Sequence, residues 1–132
     1  MGRLFNPGLG EKLDRCTILE MKIAHALEQH TGLHTQFEGE LQSITDLLPA
    51  FTTEIHDLHE QLIEVNQRLW DAEDTMRDCR SRELHLTTTE LLDVGKLGMQ
   101  CQELNDQRST IIAELNLGNN DGWIEKAETE VV

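Results

Sequence analysis

Along the first two-thirds of the chain the apolar positions advance by alternating steps of four and three residues. The series runs Leu9, Leu13, Cys16, Glu20, Ile23, Leu27, then through Phe37, Leu41, Ile44, Phe51, Ile55 and Leu62 to Leu69, Ala72, Met76 and Cys79. Steps of four and three are the heptad spacing of helices lying side by side, whereas strands repeat every second residue. The pattern predicts an all-α protein: one domain spanning residues 1–132, built as an antiparallel helical bundle of three to four long helices.

Punctuation along the chain divides the pattern. Asn6 before Pro7 reads as a cap followed by a first-turn proline, opening a helix over about 8–30 that ends at Thr31-Gly32. A second helix is expected over 33–48. Pro49 cannot occupy a helix interior without losing a hydrogen bond, so it either starts the next helix or kinks a longer one. Residues 50–80 form the most regular stretch, about 45 Å at 1.5 Å per residue. After a turn at Arg80–Glu83, Thr87 and Glu90 have capping-box spacing and open a last helix over 87–117. Gly118 is suited to end it in a left-handed conformation. In the tail, 119–132, the pair Trp123-Ile124 is expected to dock on the bundle. Gly95 and Gly98 sit inside the last helix, implying either local fraying or a close helix approach.

Two charged residues interrupt apolar stripes. Glu20 stands in the first helix and Arg108 in the row Val94, Leu97, Cys101, Leu104, Arg108, Ile111, Leu115 of the last. Charges are costly in a core unless partnered, so a Glu20–Arg108 pair is expected, fixing helix register or orienting a ligand. A second polar group comprises Asn66, Trp70, Glu73, Asp74 and Arg77. Asn66, Trp70 and Glu73 recur at i, i+4, i+7 and share a face. Antiparallel packing about a turn at 84–86 brings Asn66 near Asn105 and Asp106. Converging carboxylates and amides of this kind suit Mg²⁺, which takes oxygen ligands.

The histidines point elsewhere. His30 and His34, like His56 and His59, are helically spaced, but a hairpin about Pro49 keeps the two pairs apart, so no four-ligand zinc site is expected. Glu-x-x-His di-iron spacing is absent. So are a nucleophile–base pair, a phosphate loop and a dinucleotide fingerprint. Partly exposed seam histidines or an oligomer contact fit better.

Composition narrows the partners. The net charge is −14, and residues 31–65 carry seven acids with neither Lys nor Arg. Such a surface repels phosphate backbones, so no nucleic acid is expected. No apolar run reaches the roughly 20 residues needed to span a bilayer, and no leader is visible at the first residues, so a cytoplasmic protein without membrane contact is expected. Cys16, Cys79 and Cys101, odd in number and lacking CxxC spacing, read as reduced core residues.

The segment Leu9-Gly10-Glu11-Lys12-Leu13-Asp14-Arg15-Cys16-Thr17-Ile18-Leu19-Glu20-Met21-Lys22 resembles the opening signature of a family of small all-helical bacterial proteins of unknown function. Val65-Asn66-Gln67-Arg68-Leu69-Trp70-Asp71-Ala72-Glu73-Asp74 with Arg77 is similar to that family's central segment. Leu104-Asn105-Asp106-Gln107-Arg108 and Ile124-Glu125-Lys126 resemble its closing ones. Residues 28–60 and 79–100 bear little likeness. The resemblance implies no activity; it singles out Glu20, Lys22, Asn66, Trp70, Glu73, Asp74, Asn105, Asp106 and Arg108 as a candidate polar core or ligand site.

Long thin helices expose apolar edge, so a homo-oligomer is expected. The leading functional reading is a non-enzymatic structural or interaction bundle without a cofactor. The alternative is an Mg²⁺-dependent hydrolase of small phosphorylated molecules. It would resemble all-α nucleotide pyrophosphohydrolases, although Asp71-x-x-Asp74 only loosely echoes their paired carboxylates.

Overall fold

The computed structural model describes residues 7–82 and 85–119 and is all-α, as the heptad spacing predicts. Its helices are α1 (Leu9–Gln29), α2 (His34–Thr45), α3 (Thr53–Ser81) and α4 (Thr88–Gly118). Each boundary has a local cause. At the start of α1, Glu11 accepts a hydrogen bond from the Gly8 backbone N–H at 3.1 Å, satisfying one donor that a helix start leaves free. The helix therefore begins after Pro7; Asn6 and the Trp123-Ile124 pair lie outside the described residues. At the other end His30 adopts φ 54° and Gly32 φ 80°, the left-handed turn that closes α1 where Thr31-Gly32 predicts a break.

Pro49 neither opens nor kinks a helix. It lies in a linker, 46–52, because α2 stops at Thr45 and α3 starts only at Thr53. Thr52 caps α3, its hydroxyl accepting from the Ile55 N–H at 3.1 Å. A proline disfavours helical geometry at the residue before it, which ends α2 short of the expected 48. At α4 the predicted capping box is present. The Thr87 hydroxyl accepts from the Glu90 N–H at 3.1 Å, and the Thr87 N–H donates to Glu90 Oε1 at 2.9 Å. Gly118 is not left-handed; the helix runs through it to Asn119, at φ −108°.

The core joins three helices. Leu9 and Leu13 from α1 meet Ile55, Leu62, Val65, Leu69 and Ala72 from α3 and Cys101, Leu104, Ile111 and Leu115 from α4. No α2 residue is buried. α2 lies along α1 and makes at most marginal contact with α3 and α4. Its links to α1 are polar as well as apolar. Arg15 forks onto Glu40 at 2.7 and 3.0 Å, and the Lys22 ammonium stands 5.6 Å from the centre of the Phe37 ring.

This corrects the expectation of one continuous seam. α1 has two packing rows. Gly10, Asp14, Thr17 and Met21, at i, i+4, i+7 and i+11, line up toward α3 and α4. Arg15, Leu19, Lys22 and Ala26 have the same spacing on another face, toward α2. The heptad phase persists across both loops, but the helix between them leaves the core. Cys16 and Cys101 are buried and Cys79 half-buried, all as free thiols. Burial pushes the Cys16 and Cys101 thiols up from their ordinary range.

Candidate functional site

Where α1, α3 and α4 cross, four polar side chains close on one another. Arg108 Nε donates to Asp14 Oδ1 at 2.8 Å, and its Nη2 donates to Asp14 Oδ2. The guanidinium thus meets the carboxylate at two points, the strongest common ion-pair geometry. Asp14 Oδ1 also accepts from Asn66 Nδ2 at 2.9 Å. The same amide nitrogen donates to the Thr17 hydroxyl oxygen, and the Thr17 hydroxyl donates to the Asp14 backbone carbonyl at 2.8 Å. Asp14, Thr17 and Asn66 are buried. The Asp14 hydrogen bonds hold the Arg108 guanidinium above its ordinary range, against the opposing pull of burial.

The expected Glu20–Arg108 pair is therefore replaced by Asp14–Arg108. Glu20 is exposed and lines an open cleft instead. Glu20 keeps heptad phase with Leu9 and Leu13, which pack into the core, but at its level that row borders the open cleft, whereas Asp14, on the adjoining row, meets Asn66 and Arg108.

The remaining candidates scatter. Asn66 belongs to the network. Lys22 faces α2, away from it. Trp70 is half-buried, its ring set edge-on to His25 with centroids 5.9 Å apart. Glu73 is exposed, though its charge reaches Arg108 and Cys101. Asp74 is exposed and accepts from Arg77 at 3.1 Å. Asn105 and Asp106 are both exposed, so the predicted convergence of Asn105 on Asn66 does not form; Arg108, three residues on, faces inward in its place.

Beside the network, α1 and α3 flank an open cleft of about 500 Å³, lined among others by Thr17, Glu20, His25, Glu28, Trp70 and Asp74. Of its three carboxylates, Glu20 and Glu28 stand more than two turns apart on α1 and Asp74 comes from α3. Among the described residues no group of three or more His, Cys, Asp or Glu side chains is placed to hold a metal ion. In the Asp71-x-x-Asp74 echo, the Asp71 side chain accepts from Gln67 at 3.0 Å and that of Asp74 from Arg77 at 3.1 Å. Asp14 and Thr17 are the residues that sequence reasoning missed. The row Gly10, Asp14, Thr17, Met21, with its small and polar members, was the available signal.

No family model matches the chain, and comparisons with curated proteins and with solved structures likewise found no match. No helix among the described residues is long and apolar enough to cross a membrane.

His59 carries a measurable consequence. Its ring packs edge-on to Phe51, with centroids 5.6 Å apart, and its Nε2 is buried without a partner. Burial holds its pKa below the ordinary value; the Glu20 and Glu60 charges pull it up and His56 pushes it further down. The unfolded chain then binds the proton more readily than the folded one. Stability is complete above about pH 6.5 and falls as the pH drops toward the lower folded value. Melting at pH 7.5 and pH 5.5 should show a loss on acidification that His59→Phe reduces. An equal loss in that variant would remove His59 as its cause.

Proposed function

We propose that this chain is a non-enzymatic structural or interaction module that assembles with copies of itself, its buried polar residues fixing how the helices meet. One contrast carries the reading. The polar groups inside the bundle are spent on each other, whereas apolar side chains stand uncovered outside it. Among the described residues the buried side-chain polar atoms that lack a partner are His34 Nδ1 and His59 Nε2, and neither belongs to the Asp14 network. Meanwhile α2 buries nothing completely, and Leu27, Leu33, Leu47, Leu91, Leu92 and Met99 are exposed. Contiguous uncovered apolar surface is characteristic of association sites.

The resemblance to the small helical family supports the same reading. Asp14 and Thr17 come from the opening segment, Asn66 from the central one and Arg108 from the first of the two closing ones, so three of the four segments meet at a single junction; the fourth lies outside the described residues. The likeness then reflects a shared way of joining helices, and we include membership of that family in the proposal.

Light-scattering mass measured over a concentration series tests the assembly, with a multiple of the 15.1 kDa chain mass expected. A mass that stays at one chain throughout would sink it. Thermal unfolding with and without millimolar Mg²⁺ tests the absence of metal chemistry. No stabilisation is expected, and a saturable rise would instead favour the Mg²⁺-dependent hydrolase reading through the carboxylates of the α1–α3 cleft.

A further inference from the structure

We propose that two copies of this chain dock through the outward face of the first half of α4, crossing at Gly95 and Gly98. The proposal rests on the self-assembly reading above and names its surface.

At about 100° per residue, Leu97, Cys101, Leu104 and Arg108 point one way along α4, toward the core. Leu91, Leu92, Gly95, Met99 and Gln102 turn away from that row and Gly98 stands at its edge, next to Cys101; all six are exposed. Leu91 is 55 % exposed, Leu92 63 % and Met99 72 %. A helix apolar on two faces is ordinarily packed on both. Here the described residues cover only one.

The glycines sharpen the point. Among the described residues a Cβ built on Gly95 or Gly98 meets nothing within 4 Å, so of the two readings, fraying or a close helix approach, the second is not met by any described residue of the same chain. Each costs roughly 1 kcal/mol of helix stability relative to alanine. Between flanking Leu92 and Met99 they leave a shallow, Cβ-free saddle in which a second helix can approach closely.

Charge identifies the occupant. Two copies of a chain with net charge −14 repel unless they meet where neither carries charge. The six residues of this face are uncharged; Glu90, Asp93, Lys96 and Glu103 lie off it, and Asp106, one turn beyond Gln102, marks its end. A cationic partner would be drawn instead to residues 31–65, with seven acids and neither Lys nor Arg. The face is only about 16 Å long at 1.5 Å per residue. One helix crossing on that scale falls short of the about 1,600 Å² of a standard interface, so the dimer should dissociate on dilution.

The test compares light-scattering mass and far-ultraviolet circular dichroism for four full-length chains. They are the wild type, Leu92→Glu/Met99→Glu, Gly98→Gln, and a control, Leu27→Glu/Leu33→Glu, with the same added charge near the α1–α2 loop. The wild type should double in mass as concentration rises. Both α4 variants should need at least tenfold more protein to do so, with helix content unchanged, while the control assembles like the wild type. Gly98→Gln keeps the chain's charge and enters open space within one chain, so its effect cannot come from added repulsion or from misfolding. Assembly of the wild type with no change in either α4 variant would overturn this surface and leave the self-assembly reading intact. Weakening only in the control would do the same. A wild type monomeric at every concentration would overturn both.

Discussion

Arg108→Met should destabilise the fold by about 3 kcal/mol, and adding Asp14→Leu should recover most of that loss. The Asp14 side chain is 11 % exposed and that of Arg108 30 %. Removing the guanidinium strands a carboxylate that water barely reaches, with Asn66 as its remaining side-chain donor. Removing both charges leaves no buried ion, and leucine and methionine fill much of the vacated space. The partial exposure of Arg108 sets the expected loss at the lower end of the roughly 3–5 kcal/mol seen when a buried pair is broken. Asp14→Leu alone should cost less, about 2 kcal/mol, because the freed guanidinium can bend its long stem toward solvent. Urea unfolding of the wild type, both single variants and the double measures all three terms. Two small losses that simply add would show that the pair does not lock the helices together. Recovery in the double variant would show that its charges specify the junction more than they stabilise it.

The helices were legible because their signals are local. Capping-box spacing at Thr87 and Glu90, the Thr31-Gly32 break and the 50–80 stripe each act within a turn or two, and each appears close to its expected place. The arrangement of the helices was less legible. α2 keeps the apolar period of its neighbours, yet it packs chiefly on α1. Period alone records that a helix has a buried side and not which helix covers it. The same ambiguity moved the acidic partner of Arg108 from Asp14 to Glu20. α1 is covered on two sides, so its two rows overlap in a single heptad reading. Arg108 could be recognised as a buried charge because α4 has one clear inward stripe at that level. Asn66 was recognised among polar neighbours, but Glu73, Asp74, Asn105 and Asp106, close to it in sequence or level, turn to the surface. Which polar residue at a helix edge turns inward depends on the crossing of three helices, and that is not a property of any one of them.

Gly10→Ala should cost about 3 kcal/mol, although α1 is a helix and alanine is the better helix former. A Cβ at this position would collide with the Ile112 carbonyl oxygen and lie 2.8 Å from Ile112 Cγ2. The side-chain atom can rotate away. The carbonyl belongs to the α4 backbone and cannot, so α1 and α4 must separate. Overpacking of this kind costs typically 1–3 kcal/mol. Separation also strains the bond in which the Gly10 N–H donates to Asn116 Oδ1 at 2.7 Å, and the one from Asn116 Nδ2 to Glu11 Oε1 at 3.0 Å. Each is worth about 1 kcal/mol, and the former satisfies a first-turn N–H that has no partner within its own helix. Gly98→Ala provides the contrast, because a Cβ there meets open space and should stabilise the separated chain by about 0.5–1 kcal/mol. Thermal unfolding at a dilution where the wild type is monomeric should therefore move in opposite directions for the two substitutions. Trimming Ile112 to alanine should not rescue Gly10→Ala, since the obstructing oxygen remains. Rescue by that change, or a Gly10→Ala chain as stable as the wild type, would mean that α1 does not rest directly on the α4 backbone, and the register that brings Asp14 to Arg108 would need another cause.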